Sequence, residues 1–309
     1  MDLHTRRLRL ALLVAQERNV TRAAARVHLS QQALSQQIAA LEKDLGFQVF
    51  VRSSRGVDVT PAGRTMLAAA HGVLETLDDA YRTARRAVDP ARLSVGFLVG
   101  GLAELTPVVL DALADTDPAT ELELVEHPLS DPAAGLRTGQ SDVALLRPPL
   151  DETGLEILPL ASEPRVVALS AGDPLAGQQH VRCSELAGRE LVGVVSGDAA
   201  FQAFWELRDG SVPGPPPTIL RRATTVPEEL QLVAAGRAVS VTAASASRYL
   251  PWPGVVFRTL IDAAPSVLAV GVRSDAPAAR TRPCLQRVRT AVRRRSDVVD
   301  QVAAGLSGR

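Results

Sequence analysis

The stretch that most constrains this chain is residues 19–46, NVTRAAARVHLSQQALSQQIAALEKDLG. Two short helical patterns in it are separated by a polar break at His28, Leu29 and Ser30. Thr21 is placed to cap the first, whose small Ala23, Ala24 and Ala25 let another helix approach closely. Ser30 is placed to cap the second, in which Leu34, Ile38, Leu41 and Leu45 recur at steps of three and four residues. The leading edge of that second helix carries Gln31, Gln32, Ser35 and Gln36. A short helix, a tight turn and a second helix with hydrogen-bonding side chains at its start is the shape that reads a DNA major groove. A plain helical hairpin has the same pattern, so the neighbouring residues must decide.

Ahead of this stretch, residues 3–17 form a helical pattern with Leu8, Leu12 and Ala15 on the face that packs beneath it. After Gly46 the period changes. Residues 47–52 are β-rich, 53–56 form a turn, and Val57, Asp58 and Val59 return, which predicts a two-stranded wing. Arg52, Ser53 and Arg55 lie at its tip, where arginines reach phosphates or a narrow minor groove. Thr60 then caps a helix with Pro61 at its first position, running to about residue 88. Along it Leu67, Ala70, Leu74, Leu77, Tyr81 and Ala84 recur at alternating steps of three and four. That seam suits a coiled contact with a second copy, although one helix packed on its own domain has the same pattern. Residues 1–64 carry ten Arg and Lys against five Asp and Glu, in a chain whose formal net charge is zero. The local excess is a modest footprint for a polyanionic partner.

A length of 309 residues predicts two or three domains, and 46% hydrophobic with 22% charged residues is the balance of a globular protein with a sizeable core. With 3% aromatics that core must be mainly Ala, Val and Leu. Cys183 and Cys284 stand in no metal or redox spacing, so two cytosolic thiols are expected and no metal or cofactor. No run is apolar enough for a membrane span or export signal, so a cytoplasmic protein is expected. From residue 91 onward strand and helix patterns alternate. Strands are expected at 93–97, 122–125, 142–146, 165–169, 190–195, 218–223, 238–242 and 266–272. Helices are expected after Gly101, at 133–138 and from 278 to about 292, as parallel βαβ units.

Thr21, Arg22, Ala23, Ala24, Leu29, Ser30, Gln31, Leu34, Ser35, Ile38, Leu41, Glu42, Leu45, Gly46, Val49, Phe50, Arg52, Thr60, Pro61, Ala62 and Gly63 resemble the amino-terminal signature of LysR-type transcriptional regulators. That family often has aromatics where Ala11 and Val20 stand, and Arg where Gln36 stands. Gly139, Asp142, Val143, Ala144 and Leu145, then Asp173 to Ala176, Leu186 to Gly188 and Leu232 to Gly236, resemble its sensor region. That region is similar to periplasmic solute-binding proteins. The resemblance implies a multi-domain fold: an α-helical winged helix-turn-helix head (1–60), a dimerising linker helix and hinge (61–90), and an α/β effector domain (91–309). The effector domain would have two subdomains, one at about 91–160 with 266–309, the other at about 161–265.

A cleft between those subdomains, at strand carboxyl ends, is where an effector is expected. Leu98, Val99, Gly100 and Gly101 would begin a helix whose N–H groups suit an anion. Ser196 and Gly197 would repeat the device in the second subdomain, and Thr224 and Thr225 offer hydroxyls. Arg147 either clamps a carboxylate bidentately or is a surface arginine. The expected effector is a small carboxylate or an apolar molecule. Double-stranded DNA and a dimer or tetramer of this chain are the expected partners, with RNA polymerase as a further one. The basic run Arg287, Arg289, Arg293, Arg294 and Arg295 fits a second DNA contact or a solvated terminal helix. The alternative reading is an α/β enzyme with an attached DNA-binding head. Against it, the five histidines are scattered and no Ser/His/Asp elbow, phosphate loop or metal cluster is visible.

Overall fold

The computed structural model describes residues 4–27, 29–53, 56–88, 92–116, 120–210 and 215–305. The chain divides into two compact units, Met1–Arg85 and Arg86–Arg309. In the first unit the helices are α1 (Thr5–Glu17), α2 (Val20–Arg26) and α3 (Gln31–Leu45). The antiparallel strands β1 (Phe50–Ser53) and β2 (Gly56–Val59) follow, then α4 (Pro61–Val88). Leu34, Ile38 and Leu41 of α3 close a core with Ala23 and Ala24 of α2, while α1 contributes Leu8, Leu10, Ala11 and Val14. The inner face of α1 therefore runs 8, 11, 14 rather than through Leu12 and Ala15, which are only partly buried. Both sets satisfy a 3.6-residue period, and packing against the small α2 residues selects the first.

Thr60 caps α4 by accepting the Gly63 N–H at 2.9 Å, and its own hydroxyl donates to Gln48 O at 2.7 Å. Gly63 is needed there, since a Cβ would stand 2.3 Å from Val49 O. Leu67, Ala70 and Leu74 are buried in the core of this same unit. The first half of the heptad seam is thus consumed by the head, which corrects its assignment to a contact between copies. A period reports that a face is buried, not what buries it.

The second unit opens with β3 (Arg92–Phe97), α5 (Leu105–Ala114), β4 (Glu121–Glu126), β5 (Val143–Leu146) and β6 (Leu155–Glu163). Then come β7 (Arg165–Ser170), β8 (His180–Val181), β9 (Glu190–Val194), α6 (Ala199–Trp205), β10 (Thr218–Ala223) and α7 (Val226–Ala234). It finishes with β11 (Ser240–Ala243), α8 (Ala246–Tyr249), β12 (Val255–Leu260), β13 (Ser266–Arg273), α9 (Ala278–Arg294) and α10 (Ser296–Ala304). One sheet has the order β4-β3-β5-β13-β6, another β11-β7-β12-β8, and β9 pairs with β10. Parallel pairing holds for β3 with β4 and β5, for β9 with β10, and for β12 with β8. Elsewhere the all-parallel expectation fails: β13 runs antiparallel to β5 and β6, and β7 antiparallel to β11 and β12. The return strand β13 enters its sheet from the opposite side, a fact that local periodicity does not encode.

The expected helix at 133–138 is a series of turns, because Ala134, Gly135 and Gly139 take φ of 46°, 81° and 61°. Alternation along the strands feeds two cores. Leu93, Val95, Val143 and Leu145 face α5, α9 and α10, whereas Ala144 and Leu146 join Val167, Leu169 and Leu191 of the other sheets. The chain passes between the sheets twice, at Pro164 and again between β12 and β13. Arg165, fully buried at the first crossing, donates to Ala264 O at the second (2.7 Å) and to Phe204 O at the end of α6 (2.5 Å). Its guanidinium also lies 4.0 Å over the Phe204 ring. One side chain thus ties both crossings to the helix that walls the region between the sheets.

Candidate functional sites

In the head, the Ser30 hydroxyl accepts the Ala33 N–H at 3.1 Å and starts α3 as expected. Gln31, Gln32 and Gln36 are exposed on its leading edge. Ser35 is half-buried and lines a groove of about 370 Å³ with Phe50, Val51 and Val57 of the wing. Glu42 holds that wing to α3 by accepting the N–H groups of Val49 (2.8 Å) and Phe50 (3.0 Å). Thr21 is not a cap. Asn19 accepts the Arg22 N–H at 3.0 Å, and Thr21 lies inside α2 with an exposed side chain. The helix begins at Val20, two residues earlier than a Thr21 cap implies, so the cap moves back with it. Arg26 and Arg22 are drawn to Glu17, and Arg7 to Asp44 at 2.6 Å, so part of the head's positive charge is neutralised within it. Arg55 lies outside the described residues, as do the side chains of Arg52, Ser53 and Tyr81. Away from the face that bears Leu67, Ala70 and Leu74, α4 exposes Val73 (61%), Leu77 (47%) and Ala84.

In the second unit a cavity of about 70 Å³ lies between the two larger sheets. It is roomy enough for a small organic group or a few waters. Leu98, Val99 and Gly100 line it from the end of β3, and Arg147 from the end of β5. Phe201 and Trp205 of α6 form an edge-to-face wall with Phe204, and Glu229, Thr242, Ser245 and Tyr249 supply polar groups. Phe201, Trp205 and Glu229 escaped the sequence reading. Trp205 and Glu229 sit in short helices with no local signature, and only the fold turns them inward.

Other expected cleft residues take different roles. The helix after β3 starts at Leu105, not at Gly101. The N–H groups of Gly101, Leu102 and Ala103 are engaged by Leu98 O, Thr106 Oγ1 and Gly100 O, so the anion cradle expected there is not formed. Gly101 lies behind the wall, where its carbonyl accepts from Arg147 Nε at 3.2 Å. Ser196 and Gly197 stand outside the cavity. The Ser196 hydroxyl accepts the Asp198 N–H, and Asp198 caps α6 through Phe201 N–H. Thr225 caps α7, and Thr224 is held by Glu228 at 2.9 and 3.1 Å, so neither lines the cavity. In each case a short polar side chain serves the nearest helix start first.

Arg147 is neither a surface arginine nor poised as a bidentate clamp. Only 8% exposed, it donates through Nη1 to Glu163 (2.6 Å) and Ser266 (3.3 Å), and through Nη2 to Ser245 (3.3 Å). Glu163 also accepts the Ser245 N–H at 2.6 Å. A second pair, Glu104 with Arg248 at 2.6 and 3.0 Å, joins α5 to α8 nearby. Burial by itself raises the Glu104 carboxyl, but Arg248 outweighs it and holds the group below its usual range. For Glu229 nothing opposes burial except a hydrogen bond from Ser240, and its carboxyl is pushed up to about 7.

The fold does bring one Ser, His and Asp together, all within residues 127–141. Ser141 Oγ lies 3.2 Å from His127 Nε2, and His127 Nδ1 lies 3.6 Å from Asp131 Oδ2. Ser141 and His127 are buried, and a Cβ on Gly135 would meet the imidazole at 2.4 Å. Burial lowers the His127 pKa despite Asp131, so the ring is a neutral packing element. Cys183 and Cys284 are buried in separate cores and are not joined by a disulfide. Burial, with Asp262, pushes the Cys183 thiol up to about 12. Among the described residues no group of His, Cys, Asp and Glu is arranged to hold a metal ion, and no helix is long and apolar enough to cross a membrane.

A capped helix with an exposed glutamine edge in one unit, and a cavity between two sheets in the other, match a known pairing of domains. Residues 5–64 match the bacterial regulatory helix-turn-helix protein, lysR family, and residues 87–293 match the LysR substrate binding domain. The chain belongs to the LysR family of transcriptional regulators. It is a ligand-responsive, DNA-binding regulator. It is 33% identical over 267 residues to the Hca operon transcriptional activator HcaR of Escherichia coli (strain K12), covering 85% of this chain and 88% of that one. Its fold is similar to that of a hydrogen-peroxide-bound mutant of Corynebacterium glutamicum OxyR, with a TM-score of 0.52, 26% identity, and 98% and 97% of the two chains covered. Full-length CbnR in complex with its target DNA aligns with a TM-score of 0.50 and 26% identity over 94% of this chain and all of that one.

Proposed function

We propose that α3 reads base edges through Gln31, Gln32 and Gln36, that the wing reaches the flanking backbone, and that an effector occupies the cavity lined by Arg147, Trp205 and Glu229. The observation that supports this reading best is the exposed glutamine edge on a helix capped by Ser30 and braced by Glu42. A side-chain amide can both accept from and donate to adenine in the major groove. Ser35, half-buried against the wing, contributes less than the three glutamines. Gln32→Ala is expected to lose about 1–3 kcal/mol of discrimination at one base position, whereas Arg52→Ala weakens all DNA alike and flattens the salt dependence. Binding titrations on operator variants check the contrast, and two variants with the same uniform loss would refute it.

The exposed stripe of Val73, Leu77 and Ala84 supports pairing of α4 with a second copy, on a face the head core does not use. Leu77→Glu puts a charge into that stripe, and the full chain is expected to sediment as a smaller species with its folding intact. An unchanged oligomer would remove Leu77 from the interface. The OxyR likeness does not extend to thiol chemistry in this reading. Buried cysteines in separate cores, one with its thiol held protonated, make poor peroxide sensors. The His127 cluster likewise supports packing rather than turnover, because a sealed serine meets no substrate.

A further inference from the structure

Three carboxyl groups gather around the cavity, and two have cations. Glu163 is held by Arg147, and Glu104 by Arg248. Glu229 lines the cavity, is 5% exposed, and among the described residues receives one hydrogen bond, from the neutral Ser240 hydroxyl. Trp205 of α6 also lines the cavity, is 7% exposed, and buries its Nε1–H with no hydrogen-bond partner among the described residues. Buried groups of this kind are costly unless something satisfies them, and the two residues, one an acceptor and one a donor, line the same small cavity.

We infer that the cavity takes a small, largely apolar organic cation that also carries a hydrogen-bond acceptor, the cation pairing with Glu229 and the acceptor meeting Trp205 Nε1–H. This rests on the reading of the cavity as the effector site, and it runs against the carboxylate that Arg147 suggests from sequence. Arg147 already spends its charge on Glu163, so an added anion would meet a neutralised arginine and an acidic Glu229. The upward push on the Glu229 carboxyl is what a missing counter-ion produces. Apolar walls from Leu98, Val99, Phe201 and Val241 would cover the rest of the ligand.

The test uses the full chain and four isosteric probes, butylamine, 2-methoxyethylamine, 1-butanol and butyrate, at about pH 8, where the amines are protonated. Both amines are expected to bind at least about tenfold more tightly than butanol or butyrate. In Glu229→Gln that advantage should vanish. In Trp205→Phe the ether-containing amine should lose any gain over butylamine. Calorimetry of the unmodified chain near neutral pH, in buffers of different ionisation heat, gives a readout independent of variants: amine binding should release protons as Glu229 ionises, and butanol should release none. Butyrate or butanol binding as well as the amines, amine binding undiminished in Glu229→Gln, or no saturable amine binding would each overturn the inference. Retention of promoter DNA by the same preparations reports separately on the regulator reading, which survives any of those outcomes if DNA is held.

Discussion

Replacing Arg147 by Ala is expected to lower the unfolding free energy by about 3–5 kcal/mol, the usual effect of stripping one partner from a buried ion pair. Glu163 is 1% exposed and, among the described residues, would keep the Ser245 N–H and hydroxyl as donors. The network spans β5, β6, Ser245 beside α8 and the first residue of β13, so its loss would loosen both crossings between the sheets. Replacing both partners, as in Arg147→Met with Glu163→Leu, should recover most of the loss, since a packed apolar pair avoids leaving a lone charge. Denaturant unfolding of the two single variants and the double variant checks this. A loss below about 1 kcal/mol in Arg147→Ala would mean that the arginine behaves as a solvated surface group.

Glu229→Gln is expected to stabilise the protein, with a gain that depends on pH. The carboxyl rises from an ordinary 4.5 to about 7 in the fold, so the folded state holds a proton that the unfolded state has lost between those values. Stability therefore falls as pH climbs from 4.5 toward 7 and stays low above it. Relief of that burial is worth about 3 kcal/mol at most, from the conversion of a pKa shift to free energy. Gln keeps an oxygen for Ser240 and carries no charge. The gain should be full at about pH 8 and absent at about pH 4, where both states are protonated. Chemical unfolding at the two pH values measures it. An equal gain at both would show that packing, not charge, is responsible. A stabilising substitution at a conspicuous buried carboxyl is also the signature of a group kept for binding.

The contrast between these groups and α3 shows what a sequence carries openly. Ser30, the Leu34, Ile38, Leu41 face and Thr60 ahead of Pro61 are local devices, and local devices read directly from spacing. The two sites differ in this respect. DNA recognition sits on one helix, and its exposed glutamines follow from helical geometry alone. The cavity is assembled from separate segments spread between Leu98 and Leu250, so its chemistry depends on pairings that spacing does not reveal. Arg147 meets Ser266 across 119 residues and Ser245 across 98, and those bonds convert an apparent ligand clamp into a structural strut. Ser196, Thr224 and Thr225 looked like ligand hydroxyls because they follow strands, yet each is claimed by the helix start beside it. The α4 seam was legible as buried, and its division between head core and exposed stripe was not, since the two halves share one period.

The glutamine edge of α3 is proposed to select a DNA sequence. The most direct measurement is fluorescence anisotropy of the full chain on the fragment upstream of its own gene and on a shuffled fragment of equal length, across a salt series. The predicted result is tighter binding to the upstream fragment by at least about a thousandfold, with both affinities falling steeply as salt rises. Equal affinity for the two fragments at every salt concentration would contradict it.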